Sequence, residues 1–243
     1  RLVDGAFGRG DACASSALAA LSVRASSVGD GRLLCGPLTL ALQRVSLSGD
    51  ADHTAAAGPA VAAIVREIVV PALSDDAESA ASLLCALLRA APGPWPAAAL
   101  TALVGALIRT AAAGRHAAAS ALAAVFRGLA AVVAAHAGAL KAFHPQLQRI
   151  LANALALDAV RGQAVSALGA LVPRLARPEA LLAEWALLFV AESGASLEHR
   201  LAVVDVLRAA PSVVADPRAA DLLSAIRGDT DPRIAAAARL LQS

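Results

Sequence analysis

The sequence predicts an all-α protein, an α-solenoid in which antiparallel helix pairs are stacked one after another. The 243 residues are 58% hydrophobic but only 2% aromatic, so the apolar content is mainly Ala, Leu and Val. These residues suit closely packed helices, because Ala lets neighbouring backbones approach and costs no side-chain entropy. The β-branched patches, such as Ile68-Val69-Val70, are short and lie within helical periodicity.

Helix starts are indicated by Asp or Ser caps and by Pro in the first turn, and helix ends by Gly or Pro. On this basis we predict helices at 77–91, 97–113, 117–137, 140–156, 159–176, 179–192, 196–209, 218–227 and 233–242. Asp75 and Asp76 are explained by a helix N-cap rather than by an acid pair, and Pro145 predicts a kink or break. Residues 1–73 are more weakly patterned, with helices near 12–26, 37–47 and 59–72 and a loop around 48–58.

One spacing recurs at the start of every second helix: a charged anchor, a residue three positions on and another seven positions on. These triplets are Arg161/Ala164/Leu168, Arg200/Val203/Leu207, Arg233/Ala236/Leu240, Arg115/Ala118/Leu122 and Glu78/Ala81/Cys85. Offsets of three and seven lie on one helical face, so we expect the last two members of the three C-terminal triplets to be buried. The spacing of the anchors fits a two-helix repeat of about forty residues.

The segment from Leu157 to Leu168, with Asp158 and then Val160-Arg161 followed by Ala164, resembles the second helix of a HEAT repeat. Gly228–Ala235 is similar, with Arg233 and the β-branched Ile234 in exchanged order. The resemblance covers 74–243, and residues 1–73 would continue the same stack. It implies an armadillo-like superhelix in which the recurrent Arg residues form polar ladders between successive repeats, or else a row of positive charge along the concave face.

Charge is segregated along the chain. Residues 79–157 contain six basic residues and no acidic one, whereas residues 1–78 carry a net charge of −3 and residues 158–243 a net charge of −1. Segregated charge of one sign is typical of an interaction surface. The candidate partner-binding residues are Arg89, Arg109, Arg115, Arg127, Lys141 and Arg149.

No cofactor, metal site or catalytic residue is predicted. The three cysteines are isolated, which argues against a disulfide scaffold or a zinc site, and the five histidines are scattered with no nucleophile motif beside them. The longest uncharged stretch, between Arg89 and Arg109, is interrupted by prolines and is too short to span a bilayer. We therefore expect no membrane partner.

One enzyme class uses HEAT-like repeats of this length: the alkylpurine DNA glycosylases, which hold the damaged base with Trp and Asp in a basic cleft. The two tryptophans here are Trp95, which has no carboxylate on its own helix, and Trp185, which follows Glu184 in an apolar helix. A core role explains Trp185 more simply, and we expect the chain not to be an enzyme.

A solenoid leaves a long surface free because each repeat contacts only its neighbours. We therefore expect a protein-binding scaffold segment of a larger intracellular protein, in cytoplasm or nucleus, whose partners are other subunits carrying an acidic segment. The absence of Met favours a piece of a longer chain. The alternative is a nucleic-acid-binding segment that uses the basic region 79–157, although its low net charge and few aromatic residues oppose this.

Overall fold

The computed structural model describes residues 34–43, 51–113, 118–190 and 193–241. These residues form helices and connecting turns and include no strand, which confirms the all-α prediction for them. The chain divides into two compact units, Arg1–Ala139 and Leu140–Ser243, and each is described by itself. The stacking of the helices as a solenoid stays a prediction.

The first unit contains six described α-helices. They are α1 (Cys35–Gln43), α2 (Ala51–Ile64), α3 (Val70–Asp75), α4 (Ala77–Ala90), α5 (Ala97–Ala113) and α6 (Ala119–His136). A π-helical turn at Val65–Val69 joins α2 to α3 without a break, and a 3₁₀ turn at Ala137–Ala139 follows α6.

Alternate helices of the first unit contact one another. Helix α4 packs against both α1 and α6, while α5 packs against α2, α3 and α6. The approach of α6 to α4 is close at Gly128, where an added Cβ would lie 3.3 Å from Cδ2 of Leu84. Because α2, the π turn and α3 run on as one continuous helix, the contacts of α4 with α1 and α6, and of α5 with α2 and α3, each join helices that are separated by one other helix.

The second unit contains seven α-helices in its described part. They are α7 (His144–Ala154), α8 (Arg161–Leu171), α9 (Glu179–Leu187), α10 (Leu197–Ala209), α11 (Pro211–Val214), α12 (Ala220–Arg227) and α13 (Pro232–Arg239). Short 3₁₀ turns occupy Lys141–Phe143, Val172–Arg174 and Pro217–Ala219. Helix α7 begins at His144 with Pro145 in its first turn, so the predicted break at Pro145 is confirmed.

In the second unit, too, helices separated by one other helix contact each other when the four-residue α11 is left out of the count. Helix α8 packs against α7 and α10, α10 packs against α13, and α9 packs against α12. Gly169 of α8 lies against Ala209 of α10 so closely that a Cβ added to the glycine would be 2.6 Å from Cβ of Ala209. A side chain larger than hydrogen does not fit at this crossing without movement.

Side-chain caps fix several helix starts as the sequence indicates. Asp76 accepts a hydrogen bond from the Ser79 amide at 3.1 Å, and Asp231 accepts one from the Arg233 amide at 2.8 Å. Asp158 differs, because α8 begins at Arg161 and the Asp158 carboxylate pairs with the Arg161 guanidinium instead. Each cap satisfies an amide that the helix itself leaves without a partner.

The predicted burial holds for two of the three C-terminal triplets. Ala164, Leu168, Val203 and Leu207 are all buried. In α13, however, Ala236 is exposed and Leu240 is 56% exposed, so the prediction for this helix was wrong. The buried residues there are Ile234 and Ala238.

The register of α13 follows its β-branched residue and not its arginine. Val160 and Ala164 of α8 are buried four positions apart, as are Ile234 and Ala238 of α13. In α8 the arginine follows the β-branched residue (Val160-Arg161), whereas before α13 the order is reversed (Arg233-Ile234). Positions counted from the arginine are therefore displaced by two residues from the buried face of α13. Burial of a branched apolar side chain is worth far more than the placement of an exposed cation.

For the first unit, one prediction was wrong, and two others lie outside the described residues. The prediction of a loop around 48–58 was wrong for residues 51–58, which lie in α2. The Ala-rich sequence there favours a helix, although the neighbouring Asp and His are typical of turns. The helix expected near 12–26 and the anchor Arg115 lie outside the described residues, and Ala118, three positions after that anchor, is exposed.

One described stretch, Ala119–Ala139, is long and apolar enough to cross a membrane by length and composition. Within the structure 56% of the apolar window is buried against the rest of the protein, and a helix in a protein core meets the same criterion.

Candidate interaction surface

Two of the candidate cations, Arg89 and Arg127, lie on helices that pack against each other. Arg89 lies one turn after Cys85 on α4, and Arg127 lies on α6, the helix that packs against α4. Both guanidinium groups are exposed and both act electrostatically on the partly exposed thiol of Cys85. We call Cys85, Arg89 and Arg127 the α4–α6 face.

Cys85 shows the balance of forces on this face. Burial raises the pKa of the thiol, and the nearby positive charges of Arg127 and Arg89 oppose that rise without cancelling it. The thiol is therefore neutral at ordinary pH and is not a nucleophile of the kind that a depressed pKa produces. The face presents two cations on either side of a small, uncharged, weakly polar group.

Of the other candidate cations, Arg109, Lys141 and Arg149 are exposed. Arg109 lies near the end of α5, with its Nη1 atom 3.3 Å from the position that a Cβ on Gly105 would take. Lys141 and Arg149 belong to the second unit, and Arg115 lies outside the described residues. The acid-free stretch 79–157 is thus shared between the two units, and its partner-binding role stays a prediction.

The recurrent arginines of the second unit bind carboxylates. Arg200 on α10 pairs with the buried carboxylate of Asp229, which lies in the turn before α13. This contact joins α10 to the turn before α13, while the ladder of polar contacts between successive repeats stays a prediction. Arg161 and Arg233 instead pair with Asp158 and Asp231 of their own turns.

Arg161 also donates from Nε to the carbonyl oxygen of Leu155 at 2.9 Å, so its side chain holds the turn between α7 and α8. Because these arginines each have an acidic partner, they do not form a row of uncompensated positive charge in the described part of the second unit.

Sequence reasoning missed a buried aromatic pair in the first unit. The ring of Trp95, in the turn before α5, lies 5.1 Å from that of His136 at the end of α6, with 47° between the planes. The Trp95 indole donates to the carbonyl oxygen of Ala91 at 2.8 Å, while Nε2 of His136 is buried without a hydrogen-bond partner. Because Trp95 and His136 are 41 positions apart, the sequence carries no local signal for this contact.

We expect the stability of the protein to fall as the pH drops below the ordinary pKa of histidine, 6.5. Burial lowers the pKa of His136 in the folded state, so the unfolded chain binds the proton first and acid favours unfolding. The free energy of unfolding therefore has its full value above pH 6.5 and decreases as the pH falls from 6.5 toward the lowered pKa of His136. A difference of one pKa unit between the folded and unfolded states changes the free energy of unfolding by about 1.4 kcal/mol.

Urea unfolding of the parent and of His136→Leu between about pH 7.5 and 5 checks this, because only the parent retains the titrating imidazole. His199, whose pKa is also lowered by burial and by Arg161, requires a parallel His199→Leu control. An acid-induced loss of stability that is equally large in the parent and in the His136→Leu variant would contradict the assignment.

Three observations on the described residues bear on catalysis. They contain no cluster of three or more His, Cys, Asp or Glu side chains that could hold a metal ion. The larger depression, between α7 and α9, has a volume of about 170 Å³, below the range of about 300–1,000 Å³ typical of ligand pockets. Trp95 and Trp185 are both buried, so neither is placed to hold a base.

No protein-family model matches the chain, and no curated protein is similar to it. A crystal structure of an engineered protein from the Northeast Structural Genomics Consortium aligns over 99% of this chain and 93% of its own, with 16% identity and a TM-score of 0.48. A likeness at this level carries no conclusion about fold or function.

Proposed function

We propose that this chain is a HEAT-like α-solenoid that serves as a non-catalytic, protein-binding scaffold segment in a macromolecular assembly inside the cell. The observation that carries the proposal is the contact pattern. With the continuous α2–α3 segment counted as one helix and the four-residue α11 left out, helices separated by one other helix pack together in both units, as α4 does with α6, α8 with α10 and α9 with α12. Helix pairs stacked in this manner contact their neighbours and leave edges free for partners. The link from Arg200 to Asp229 across successive pairs supports the same arrangement.

The alternative, binding of nucleic acid by the basic region, has less support. Single-stranded nucleic acid is commonly bound by stacking bases on exposed aromatic rings. Of the aromatic residues that the structure describes, Trp95, Trp185, Phe126 and Phe189 are buried. The exposed cations of the basic region therefore have few stacking partners beside them.

In-cell cross-linking followed by affinity purification tests the proposal. We expect one or more protein chains to be recovered in fixed proportion to this one, and nuclease treatment to leave that proportion unchanged. Recovery that disappears after nuclease treatment would favour the nucleic-acid alternative. Recovery of this chain with no other in fixed proportion would contradict the scaffold proposal.

A further inference from the structure

We propose that the α4–α6 face, formed by Cys85, Arg89 and Arg127, binds an extended acidic segment of a partner protein. The inference rests on the proposed scaffold function and specifies where, and by what chemistry, a partner binds. It begins from the position of the two cations on helices that pack directly against one another. Both arginines are exposed, and the charges of both act on the thiol of Cys85.

Neither guanidinium has an acidic partner among the residues that the structure describes. In the described part of the first unit the recorded ion pair is that of Arg66 with Glu67, and no carboxylate pairs with Arg89 or Arg127. Their sequence neighbourhood, residues 79–157, contains no acidic residue that could compensate them. By contrast, Arg161, Arg200 and Arg218 of the second unit all have carboxylate partners. Among the described residues no carboxylate pairs with the two arginines of the α4–α6 face, so a partner can supply the complementary charge.

The spacing favours an extended peptide as the occupant. Packed helices lie about 8–10 Å apart, and alternate residues of an extended strand project to one side at intervals of about 7 Å. Two carboxylates at positions i and i+2 of a partner can therefore reach both arginines while the backbone between them passes over Cys85. Guanidinium groups bind carboxylates with two parallel hydrogen bonds, which adds specificity to the attraction.

A nucleic acid fits the face less well. Phosphate binding gains affinity by neutralising many charges along a strand, whereas this face has two. The aromatic residues that could hold bases are buried in the described first unit, where Trp95 packs on His136 and Phe126 lies in the core.

The test uses the whole chain with three probes: a synthetic peptide rich in Glu and Asp, its Gln/Asn counterpart, and a single-stranded DNA oligonucleotide. We expect the acidic peptide to bind, the neutral peptide not to bind, and affinity to fall with salt, because the screening length shrinks from about 10 Å at 0.1 M to about 3 Å at 1 M. Arg89→Glu/Arg127→Glu should weaken peptide binding at least tenfold. Tighter binding of the oligonucleotide than of the acidic peptide would overturn the proposal.

A matched control changes the net charge equally within the same unit. Arg66→Glu/Arg109→Glu reverses two exposed arginines, one on the π-helical turn and one on α5, and should leave affinity within about threefold of the parent, since exposed charges away from a site act mainly through screened, long-range forces. Equal weakening by both double variants would mean that net charge alone drives binding. If Arg89→Glu/Arg127→Glu does not fold, Arg89→Gln/Arg127→Gln supplies the same comparison with a smaller loss.

Cys85 gives an independent readout of where the peptide lies. Alkylation of Cys85, followed by mass spectrometry, should slow when the acidic peptide is bound and return to the free rate at high salt. Binding that leaves the alkylation rate of Cys85 unchanged would place the peptide elsewhere and overturn the proposal. If partners identified by cross-linking still bind after both arginines are reversed, the scaffold function stands and only this surface is excluded.

Discussion

Replacing Leu168 by Ala is expected to lower the free energy of unfolding by about 2–5 kcal/mol, the range found for large-to-small changes in closely packed cores. Leu168 is fully buried in α8, the helix that packs against both α7 and α10. The lost side chain therefore leaves a cavity that neighbours on two sides must fill or tolerate. Denaturant unfolding monitored by circular dichroism measures the loss.

Leu240→Ala is the matched control. Both leucines occupy the seventh position after an anchoring arginine, yet Leu240 is 56% exposed, and its truncation should change stability by no more than about 0.5 kcal/mol. Equal losses in the two variants would contradict the register described for α13. In a solenoid the damage from Leu168→Ala should be local, so hydrogen exchange that increases uniformly along the chain would argue against that arrangement.

Gly169→Ala is expected to destabilise the protein by about 1–3 kcal/mol, although alanine is the better helix former by about 1 kcal/mol. The new Cβ would lie 2.6 Å from Cβ of Ala209 and 3.6 Å from the backbone carbonyl atoms of the same residue. Helices α8 and α10 would have to separate, which weakens contacts along their whole crossing. Denaturant unfolding gives the sign and size of the change.

Two further variants isolate the close approach as the cause. Gly162→Ala lies on the same helix with no atom within 4 Å of the added Cβ, so it should be neutral or stabilise the protein by up to about 1 kcal/mol. Ala209→Gly in the Gly169→Ala background removes the opposing methyl group and should recover part of the loss. A stabilising Gly169→Ala, or a double variant no better than the single one, would refute this account of the α8–α10 contact.

Local sequence signals predicted the helices well where a helix start or a buried face depends on residues close together in the chain. Asp76, Asp231 and the proline at 145 fix helix starts through their own backbone chemistry, and the burial of Leu168 follows from helical periodicity. The loop expected over 51–58 was wrong because Asp and His also occur at the first turn of a helix, where tertiary contacts decide the outcome.

The candidate surface could be predicted only in part. The sequence identified Arg89 and Arg127 as members of an acid-free stretch, but their approach to Cys85 depends on how α6 packs against α4. The pairing of Trp95 with His136 depends likewise on a contact between distant segments. Single-sequence periodicity reports which side of a helix is buried and not which other helix covers it.

The π-helical turn at Val65–Val69 gives the first unit a place where the chain length can change by one residue. A π turn closes its hydrogen bonds over five residues instead of four, so it holds one residue more than an α-helix spanning the same contacts. Each residue of an α-helix turns the chain by about 100°, and an insertion elsewhere in α2 or α3 would rotate buried residues such as Ile64 or Leu73 out of the core. A lineage carrying this fold could gain or lose a codon at the π turn while every downstream helix kept its buried face.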